Sequence, residues 1–118
     1  AHSYHQDDQV QTIQAWIHEH YKESTSLGQL AEMVHLSPRQ LQRRFTTTLG
    51  EPPLQYLQRV RIEAARKMLE RGTNNLARLS EQVGYQDVSS FSRLFKRHTG
   101  LSPSHYRQRF ARTGTLTD

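Results

Sequence analysis

The sequence predicts an all-α fold of seven helices. Apolar residues recur at helical spacing along the chain, and no stretch alternates in the manner of a β-strand. Serine, aspartate and proline stand where the periodic stretches begin, and glycine follows the ends of several of them, as is usual at helix termini. The chain has 118 residues, of which 34% are hydrophobic. Because this fraction is low, we expect one compact helical unit or two small ones sharing an element.

Three helices are predicted in the first half of the chain. The aspartates at 7–8 are suited to the N-cap and first turn of a helix that ends near Ser24. Ser26 caps a short second helix, and the Ser-Pro pair at Ser37 opens a third, which Gly50 stops. The apolar residues that define these helices are Val10, Ile13, Trp16, Ile17, Tyr21, Leu27, Leu30, Ala31, Val34, Leu41, Phe45 and Leu49.

Four helices are predicted in the second half. A long linker helix covers about residues 52–71, a pair of helices covers about 76–100, and a last short helix covers about 102–110. Residues 1–6 and 111–118 show no periodicity, so we expect them to be loose. The linker helix is apolar on two faces and is therefore expected to pack on both. Its two stripes are Leu54, Leu57, Val60, Ala64 and Met68, and Ile62, Ala65 and Leu69.

The second half of the chain repeats the first. An offset of 49 relates three apolar residues of the two short helices, and an offset of 50 relates six later positions. In each unit, a short helix, a tight turn and a second helix follow one another. A glycine ends the second helix, and a proline begins the next one. This is a helix-turn-helix layout. The units cover about residues 27–50 and 76–100. The matched pairs are Leu27 with Leu76, Leu30 with Leu79, Val34 with Val83, Leu41 with Phe91, Phe45 with Phe95, Gly50 with Gly100, Pro53 with Pro103, Tyr56 with Tyr106 and Arg59 with Arg109.

The second helix of each unit has a polar face opposite its apolar one. Arginine and glutamine side chains match the hydrogen-bonding edges of guanine and adenine, and serine can serve either base. A solvated surface is the ordinary alternative, but the recurrence of this face at matching angles favours base recognition. The residues on the two faces are Arg39, Gln42, Arg43 and Thr46, and Ser89, Ser92, Arg93 and Lys96.

The charge of the chain favours an anionic partner. Sixteen Lys and Arg against eleven Asp and Glu give a net charge of +5, which favours nucleic acid first and an anionic membrane surface second. Between Asp87 and Asp118 there are six basic residues and no acidic one. The predicted helix starts at Ser37 and Ser102 also offer N–H groups to phosphates. We therefore expect the second unit to be the more positive end.

Several classes of function are excluded or disfavoured. The chain has no cysteine, which excludes disulfides, Cys-ligated metal sites and a Cys nucleophile. No apolar run is long enough to span a bilayer, and no signal peptide is visible. The seven histidines are scattered, so no metal or other cofactor is expected. Paired carboxylates and nucleophile or phosphate-loop motifs are absent, so we do not expect an enzyme. We expect a cytoplasmic, nucleoid-associated protein.

One long stretch resembles a known family. The segment Leu76–Phe110 is LARLSEQVGYQDVSSFSRLFKRHTGLSPSHYRQRF, and it contains VGY, FSRLFKR and a G-x-SP-x-x-YR ending. The earlier segments LAEMVHLSPRQLQRRF and YLQRVRIEAARKML are similar to the same family. Together they resemble the DNA-binding domain of AraC/XylS transcription factors. The resemblance covers roughly seven tenths of the chain and implies that residues 7–110 form one domain, in which a rigid central helix joins the two units.

The resemblance also implies a mode of action, in which both second helices enter neighbouring major grooves of a promoter. The family's base-contacting positions fall on Arg39, Gln42, Arg43, Val88, Ser89, Ser92 and Arg93. Its phosphate-contacting positions fall on Ser37, Ser90 and Lys96. Val88 and Ser89 are shorter than the residues of some members. His35 replaces the turn glycine that Gly84 retains, and is expected to adopt a left-handed conformation at some energetic cost.

The start of the chain resembles one subgroup of this family. HQDDQVQTIQAWIHEHY is similar to the segment that joins such a domain to a class I glutamine-amidotransferase-like sensor domain, which implies that this chain is a C-terminal fragment.

The predicted partner is double-stranded promoter DNA, with RNA polymerase as a further candidate and no membrane. With both units in one chain, we expect a monomeric fragment, although the full-length protein could dimerise. The two second helices are expected on one side of the protein, about 34 Å apart. The alternative function is a basic helical module that docks a protein of the transcription machinery.

Overall fold

The computed structural model describes residues 7–112, and this part of the chain is helical without any β-strand. The number and order of the helices confirm the predicted fold class. Residues 1–6 and 113–118, which include the expected loose start and most of the expected tail, lie outside the described range. The helices are α1 (Asp8–His20), α2 (Leu27–Met33), α3 (Pro38–Leu49), α4 (Pro53–Glu70), α5 (Leu76–Gln82), α6 (Val88–Thr99) and α7 (Pro103–Phe110).

Side-chain caps fix the starts of six helices. The predicted caps Asp7, Ser26, Ser37 and Ser102 each accept a hydrogen bond from a backbone N–H group in the first turn that follows. Asn75 and Asp87 do the same for α5 and α6. Helices α3 and α6 both end at a glycine in the left-handed conformation, because glycine adopts it without a Cβ penalty. Capping chemistry therefore sets most of the boundaries that the sequence predicts.

Two details of the helices differ from the prediction. Helix α1 ends at His20 rather than near Ser24. The Glu23 N–H group donates to the His20 carbonyl at 2.9 Å, and Ser26 is extended in order to cap α2, so the chain leaves the helix before that serine. Leu54 was expected in a packed stripe of α4 but is 39% exposed. Tyr56 and Leu57, both buried, are the side chains of this turn that fill the core.

The chain forms two compact units, Ala1–Val60 and Arg61–Asp118, and α4 contributes one part to each. The core of the first unit surrounds Phe45, whose ring lies edge-on to that of Tyr56 with 5.5 Å between centroids. Leu41 and Phe45 are fully buried, as predicted. The buried residues of this core are Val10, Ile13, Ile17, Leu30, Ala31, Val34, Leu41, Phe45, Tyr56 and Leu57.

The core of the second unit is built around aromatic rings. Phe91 and Phe95 are fully buried, as predicted, with 5.7 Å between ring centroids. Tyr106 of α7 lies edge-on to Phe95 at 5.4 Å. Since aromatic side chains bury large apolar areas, a few rings support this small core. The other buried apolar residues of the unit are Ile62, Ala65, Leu69, Leu79, Val83 and Leu94.

The internal repeat extends further towards the N-terminus than the sequence comparison suggests. At an offset of 52, the buried stripe of α1 corresponds to a buried stripe in the second part of α4. Each unit therefore begins with a lead helix that precedes its helix-turn-helix pair. The corresponding residues are Val10 with Ile62, Ile13 with Ala65, and Ile17 with Leu69.

A tyrosine hydroxyl anchors the closing helix of each unit to its lead helix. In the first unit, Gln14 donates to the Tyr56 hydroxyl at 2.9 Å, and His18 Nε2 lies 2.7 Å from the same oxygen. In the second, Tyr106 donates to Glu70 at 2.6 Å and accepts from Arg66 at 3.0 Å. Burial and the Glu70 carboxylate raise the pKa of Tyr106, and Arg66 only partly offsets them. The same tertiary contact is thus made by different polar groups.

The backbone after α7 is also held in place. Ala111 N–H donates to the Arg107 carbonyl at 2.9 Å, and Arg112 N–H donates to the Glu70 carbonyl at 2.7 Å. The sequence assigned both residues to a loose tail. Their hydrogen bonds attach the end of the described chain to α4 within the second unit.

The two helix-turn-helix turns place different residues at the matched left-handed position. His35 has φ +59° and Gly84 has φ +103°, so the left-handed conformation expected for His35 is confirmed. Because such a conformation costs an L-residue roughly 1–2 kcal/mol while glycine loses more backbone entropy, His35→Gly is expected to raise the free energy of unfolding by about 0.5–1 kcal/mol. Urea denaturation measures this change. Gly84→Ala is the matched control, and it should destabilise the protein; a destabilising His35→Gly would contradict the strain argument.

Candidate nucleic-acid interface

The outward face of α3 carries three of the predicted base-contacting side chains together. Arg39, Gln42 and Arg43 are exposed, whereas Leu41 and Phe45 on the opposite face are fully buried. The exposed face borders an open groove of about 450 Å³. Guanidinium and amide groups on one side of a helix can form bidentate hydrogen bonds with purine edges. The groove is lined by Leu27, Pro38, Arg39, Gln42, Arg43, Thr46 and Thr47.

The start of α3 is more fully capped than the sequence suggests. The Ser37 hydroxyl accepts from Gln40 N–H at 3.1 Å, and the Gln40 side chain accepts from Ser37 N–H at 2.9 Å. Pro38 has no N–H group to offer. The capping box occupies the N–H groups of Ser37 and Gln40, so these two donors do not face a phosphate. At the start of α7, the Ser102 hydroxyl accepts from His105 N–H at 3.2 Å. The Ser37 hydroxyl hydrogen remains available as a donor.

The corresponding face of α6 is less open. Ser89 and Arg93 are exposed, but Val88 and Ser92 are half-buried. Of the four predicted base-contacting residues in this unit, only Arg93 has a long, charged side chain in solvent. Lys96 is also exposed, in the last turn of α6 with Arg97 and His98. The exposed face of α6 therefore presents more positively charged side chains than side chains whose hydrogen bonds could distinguish one base from another.

A chain of hydrogen bonds orders the start of α6. Asp87 accepts from Ser89 N–H at 3.1 Å and from the Ser90 hydroxyl at 2.7 Å. The hydrogen bond from Ser90, followed by that from Ser89 N–H, holds the pKa of Asp87 below its usual range. Arg93 in turn donates to the Ser90 hydroxyl oxygen at 3.4 Å. The Ser90 hydroxyl hydrogen is thus engaged with a carboxylate, and Arg93 is oriented towards the start of its helix.

Comparison with known proteins identifies the family. A family model described as "Helix-turn-helix domain" matches residues 30–109. The MmsAB operon regulatory protein of Pseudomonas aeruginosa is 37% identical over 97 residues, which are 82% of this chain and 32% of that protein. A putative AraC-like transcription regulator of Streptomyces lividans is 37% identical over 102 residues, or 86% of this chain and 34% of that protein. This chain belongs to the AraC family.

Solved structures agree with this assignment. The C-terminal domain of AraT, a response regulator from Geobacillus stearothermophilus, has a TM-score of 0.88 at 28% identity, covering 95% of this chain and 93% of that one. The DNA-binding domain of AdpA, solved in complex with a target DNA, has a TM-score of 0.82 at 29% identity, covering 88% and 94%. The AraC-type chain spans about a third of the length of the curated relatives it matches.

The AraC-type chain contains one arginine of α3 that does not join the outward face. Arg44, which is next to Arg43, donates from Nε and Nη2 to the two carboxylate oxygens of Asp7, both at 2.9 Å. Asp7 also caps α1 through Gln9 and Val10 N–H groups. Sequence periodicity cannot reveal this ion pair, because its partners are 37 residues apart. The pair fixes the start of α1 against α3.

The pKa of Asp7 makes this contact testable. Burial raises the pKa of its carboxyl, but hydrogen bonds from Arg44 and from two backbone N–H groups, with the charge of Arg44, outweigh burial and hold the pKa below 3.8. A depressed pKa stabilises the folded state above the unfolded-state pKa, and this contribution is lost as the pH falls through the folded-state pKa. We therefore expect the free energy of unfolding to decline below about pH 4.

Asp7→Asn is expected to remove this part of the pH dependence and to cost about 1 kcal/mol at neutral pH, because the amide retains a cap but loses the ion pair. Urea denaturation at a series of pH values from 3 to 7 measures both effects. Asp8→Asn, an exposed change one residue later, is the control. Equal pH profiles for the wild type and Asp7→Asn would show that the Arg44 contact contributes nothing.

Other kinds of site are less well supported. Between residues 7 and 112, no group of three histidine, aspartate or glutamate side chains is arranged to hold a metal ion. In the same range, no helix is both long and apolar enough to cross a membrane.

Proposed function

We propose that this chain is the DNA-binding part of a bacterial transcription regulator. Residues 7–110 act as one domain that inserts α3 and α6 into adjacent major grooves of double-stranded promoter DNA. The single observation that carries this proposal is the repetition of one arrangement. Each helix buries an aromatic residue, Phe45 or Phe95, and exposes polar and basic side chains on its opposite face.

The comparisons support the choice of partner. A domain similar to this chain was solved with its target DNA, and similar curated proteins are named as regulators of transcription. One turn of B-form DNA is about 34 Å, which sets the separation that two helices in adjacent grooves require. The 18 residues of α4 span about 27 Å at 1.5 Å per residue, and this helix contributes one part to each unit.

We assign different roles in DNA binding to the two units. We assign base recognition to Arg39, Gln42 and Arg43 in α3. In α6 we assign it mainly to Arg93, because Val88 and Ser92 are half-buried and Ser89 is short. Phosphate contacts fall to Lys96 and the Ser37 hydroxyl, while Ser90, already bonded to Asp87, contributes less. The first unit therefore supplies most of the sequence discrimination, and the second supplies more of the charge.

The remaining features of the proposal follow from this role. The chain works in the cytoplasm, is not an enzyme and binds its site as a monomer, because both recognition helices belong to one chain. RNA polymerase is a second partner of the complete regulator, whose upstream part we propose to be a sensor domain of the glutamine-amidotransferase-like class. That part allows the full-length protein to dimerise.

Fluorescence anisotropy tests the function directly. The 118-residue chain is titrated onto a labelled duplex from upstream of its own gene and onto an unrelated duplex of equal length, each at several salt concentrations. Specific affinity should exceed random affinity by a factor of about 10³ or more, and both should fall as salt rises because counterions are released. Equal affinity for both duplexes would contradict sequence-specific binding. An absence of DNA binding would favour the basic protein-docking alternative.

A further inference from the structure

Two polar side chains at the start of α1 tie this helix to the helix-turn-helix pair of the first unit. The Asp7 carboxylate, whose side chain is only 14% exposed, receives both nitrogens of the Arg44 fork on α3. Gln9 Nε2 donates to the Val34 carbonyl oxygen at 2.8 Å. Val34 caps the end of α2 and directly precedes His35 in the turn. The start of α1 therefore contacts both the turn and the second helix of this pair.

These polar contacts provide a directional constraint that apolar packing does not. The inner stripe of α1 is buried in the core, but the hydrophobic effect is non-directional. A bidentate fork of two parallel N–H···O bonds fixes orientation as well as distance. Arg44 is next to Arg43 on α3, so its fork holds the helix that carries the outward face. The ion pair therefore constrains the rotation of α3 against α1.

Base recognition depends on this orientation more than phosphate contact does. A bidentate hydrogen bond to a purine edge requires donor–acceptor distances of about 2.9 Å and nearly linear angles, so a small rotation of the helix breaks it. The attraction between a cationic side chain and a phosphate depends mainly on distance and survives such a rotation. A recognition helix that is held less firmly would therefore lose specific affinity and keep its affinity for random DNA.

The positions that match this ion pair in the repeat do not form one. At the offsets of 52 and 50 that relate the lead helices and the second helices, Asp7 and Arg44 correspond to Arg59 and Leu94. Leu94 is buried and uncharged. Arg59 Nε donates instead to the Glu51 carboxylate at 2.8 Å. The repeat architecture therefore does not itself require an ion pair at these positions.

The contact between lead helix and turn, in contrast, has a counterpart in the second unit. Gln9 corresponds to Arg61 at the offset of 52. The Arg61 guanidinium lies 5.0 Å from the centroid of the Tyr85 ring, and Tyr85 directly follows Gly84 in the second turn. The fork onto the second helix is thus the additional contact in the first unit, the unit to which we assign most of the base discrimination.

We propose that Asp7 and Arg44 are a positioning pair for DNA recognition, whose fork holds α3 in the orientation in which its outward side chains match base edges. Neither residue contacts a base itself, and both act through Arg39, Gln42 and Arg43. This inference rests on the proposed function and deepens it, because it adds a residue of the α1 cap to the determinants of sequence discrimination.

Anisotropy titrations of the 118-residue protein with the specific and random duplexes measure this role. Asp7→Asn is expected to weaken binding to the specific duplex about fivefold and to leave the affinity and salt slope for the random duplex unchanged. Arg44→Lys keeps the positive charge but lacks the planar fork, so a similar loss is expected. Because both residues act through one contact, the double variant should bind no more weakly than either single variant.

Two control variants separate positioning from stability and from net charge. Ile17→Val removes one methyl group from the buried stripe of α1 and should destabilise the protein about as much as Asp7→Asn does, but it leaves the fork intact. Asp8→Asn makes the same change of charge at an exposed side chain one residue later. Both should retain the wild-type ratio of specific to random affinity. Circular dichroism confirms that every variant is folded at the temperature of the titrations.

The free protein provides a second readout that requires no DNA. In amide NMR spectra, Asp7→Asn should shift signals along the whole of α3, including that of Arg39 at its start, and leave those of α6 in place. Ile17→Val should not reproduce the shift at Arg39. A contact that merely caps α1 would confine the changes to the first turn of α1 and to the neighbours of Arg44.

Several results would overturn the proposal. These are an unchanged affinity ratio in Asp7→Asn, an equal loss of ratio in Ile17→Val, additive losses in the double variant, and NMR changes that stop beside Arg44. A parallel fall in random affinity and salt slope for Arg44→Gln would make Arg44 a phosphate contact instead. If the wild type binds both duplexes equally, the proposed function fails, and the NMR comparison still decides whether the pair orients α3.

Discussion

Replacing Phe45 by alanine should lower the free energy of unfolding by about 3–5 kcal/mol, since large-to-small changes at fully buried aromatic positions leave a cavity that the surroundings only partly fill. Phe45 is fully buried and packs edge-on to Tyr56. Tyr56 is itself held through its hydroxyl by Gln14 and His18. The substitution therefore removes the centre of a core to which α1, α3 and α4 all contribute.

Urea denaturation of Phe45→Ala can be followed by two signals. Trp16 is the only tryptophan and reports on the first unit, whereas circular dichroism reports on all helices. Phe95→Ala removes the matched residue of the second unit and should cost a similar amount there. Thr47→Ala, an exposed change on α3, is the control and should stay within about 0.5 kcal/mol of the wild type. A loss below about 1 kcal/mol for Phe45→Ala would contradict the described core.

Replacing Arg43 by alanine should weaken binding to the specific duplex by about 1–3 kcal/mol and leave random DNA nearly unaffected. Its side chain lies exposed on the same face as Arg39 and Gln42, to which base recognition is assigned in the proposed function. Lys96→Ala should weaken both duplexes alike and lower the salt slope by about one unit, because a phosphate contact does not depend on sequence.

Specific and random affinities for each variant at two salt concentrations separate these roles. Arg78→Ala is the matched control, since it removes an exposed positive charge from the short helix α5, outside both recognition helices. It should leave the ratio of specific to random affinity unchanged. If Arg43→Ala also leaves this ratio unchanged while Lys96→Ala reduces it strongly, the assignment of base and phosphate contacts is wrong.

The local pattern of the sequence was sufficient to predict the helices, but it did not predict all of the residues through which they pack. Caps such as Ser37 and apolar stripes such as that of α3 depend on near neighbours, and these predictions are confirmed. The end of α1 was wrong because the chain turns directly after His20, where the Glu23 N–H group donates to the His20 carbonyl, and apolar periodicity does not mark that turn. Leu54 was wrong because periodicity alone does not say which of two adjacent apolar faces meets the core.

The longer-range contacts were not predictable in the same way. The ion pair of Asp7 with Arg44 joins distant parts of the chain, and nothing in the local pattern distinguishes Arg44 from Arg43. The lead-helix repeat was missed because its offset is 52 rather than 49 or 50 and its apolar residues differ in type, as Ile13 does from Ala65. For the candidate interface, a helical wheel predicts the exposed face of α3, but it does not predict that Val88 and Ser92 are half-buried.

Helix α4 combines two roles without a break. Its first part ends at Val60 and closes the first unit, as α7 closes the second, and the part from Arg61 onward is a lead helix comparable to α1. Tyr56 is buried in the first unit, and Ile62 is buried in the second. A proline placed between them would remove a backbone hydrogen bond and kink or break the helix. One such substitution would therefore disturb both cores at once.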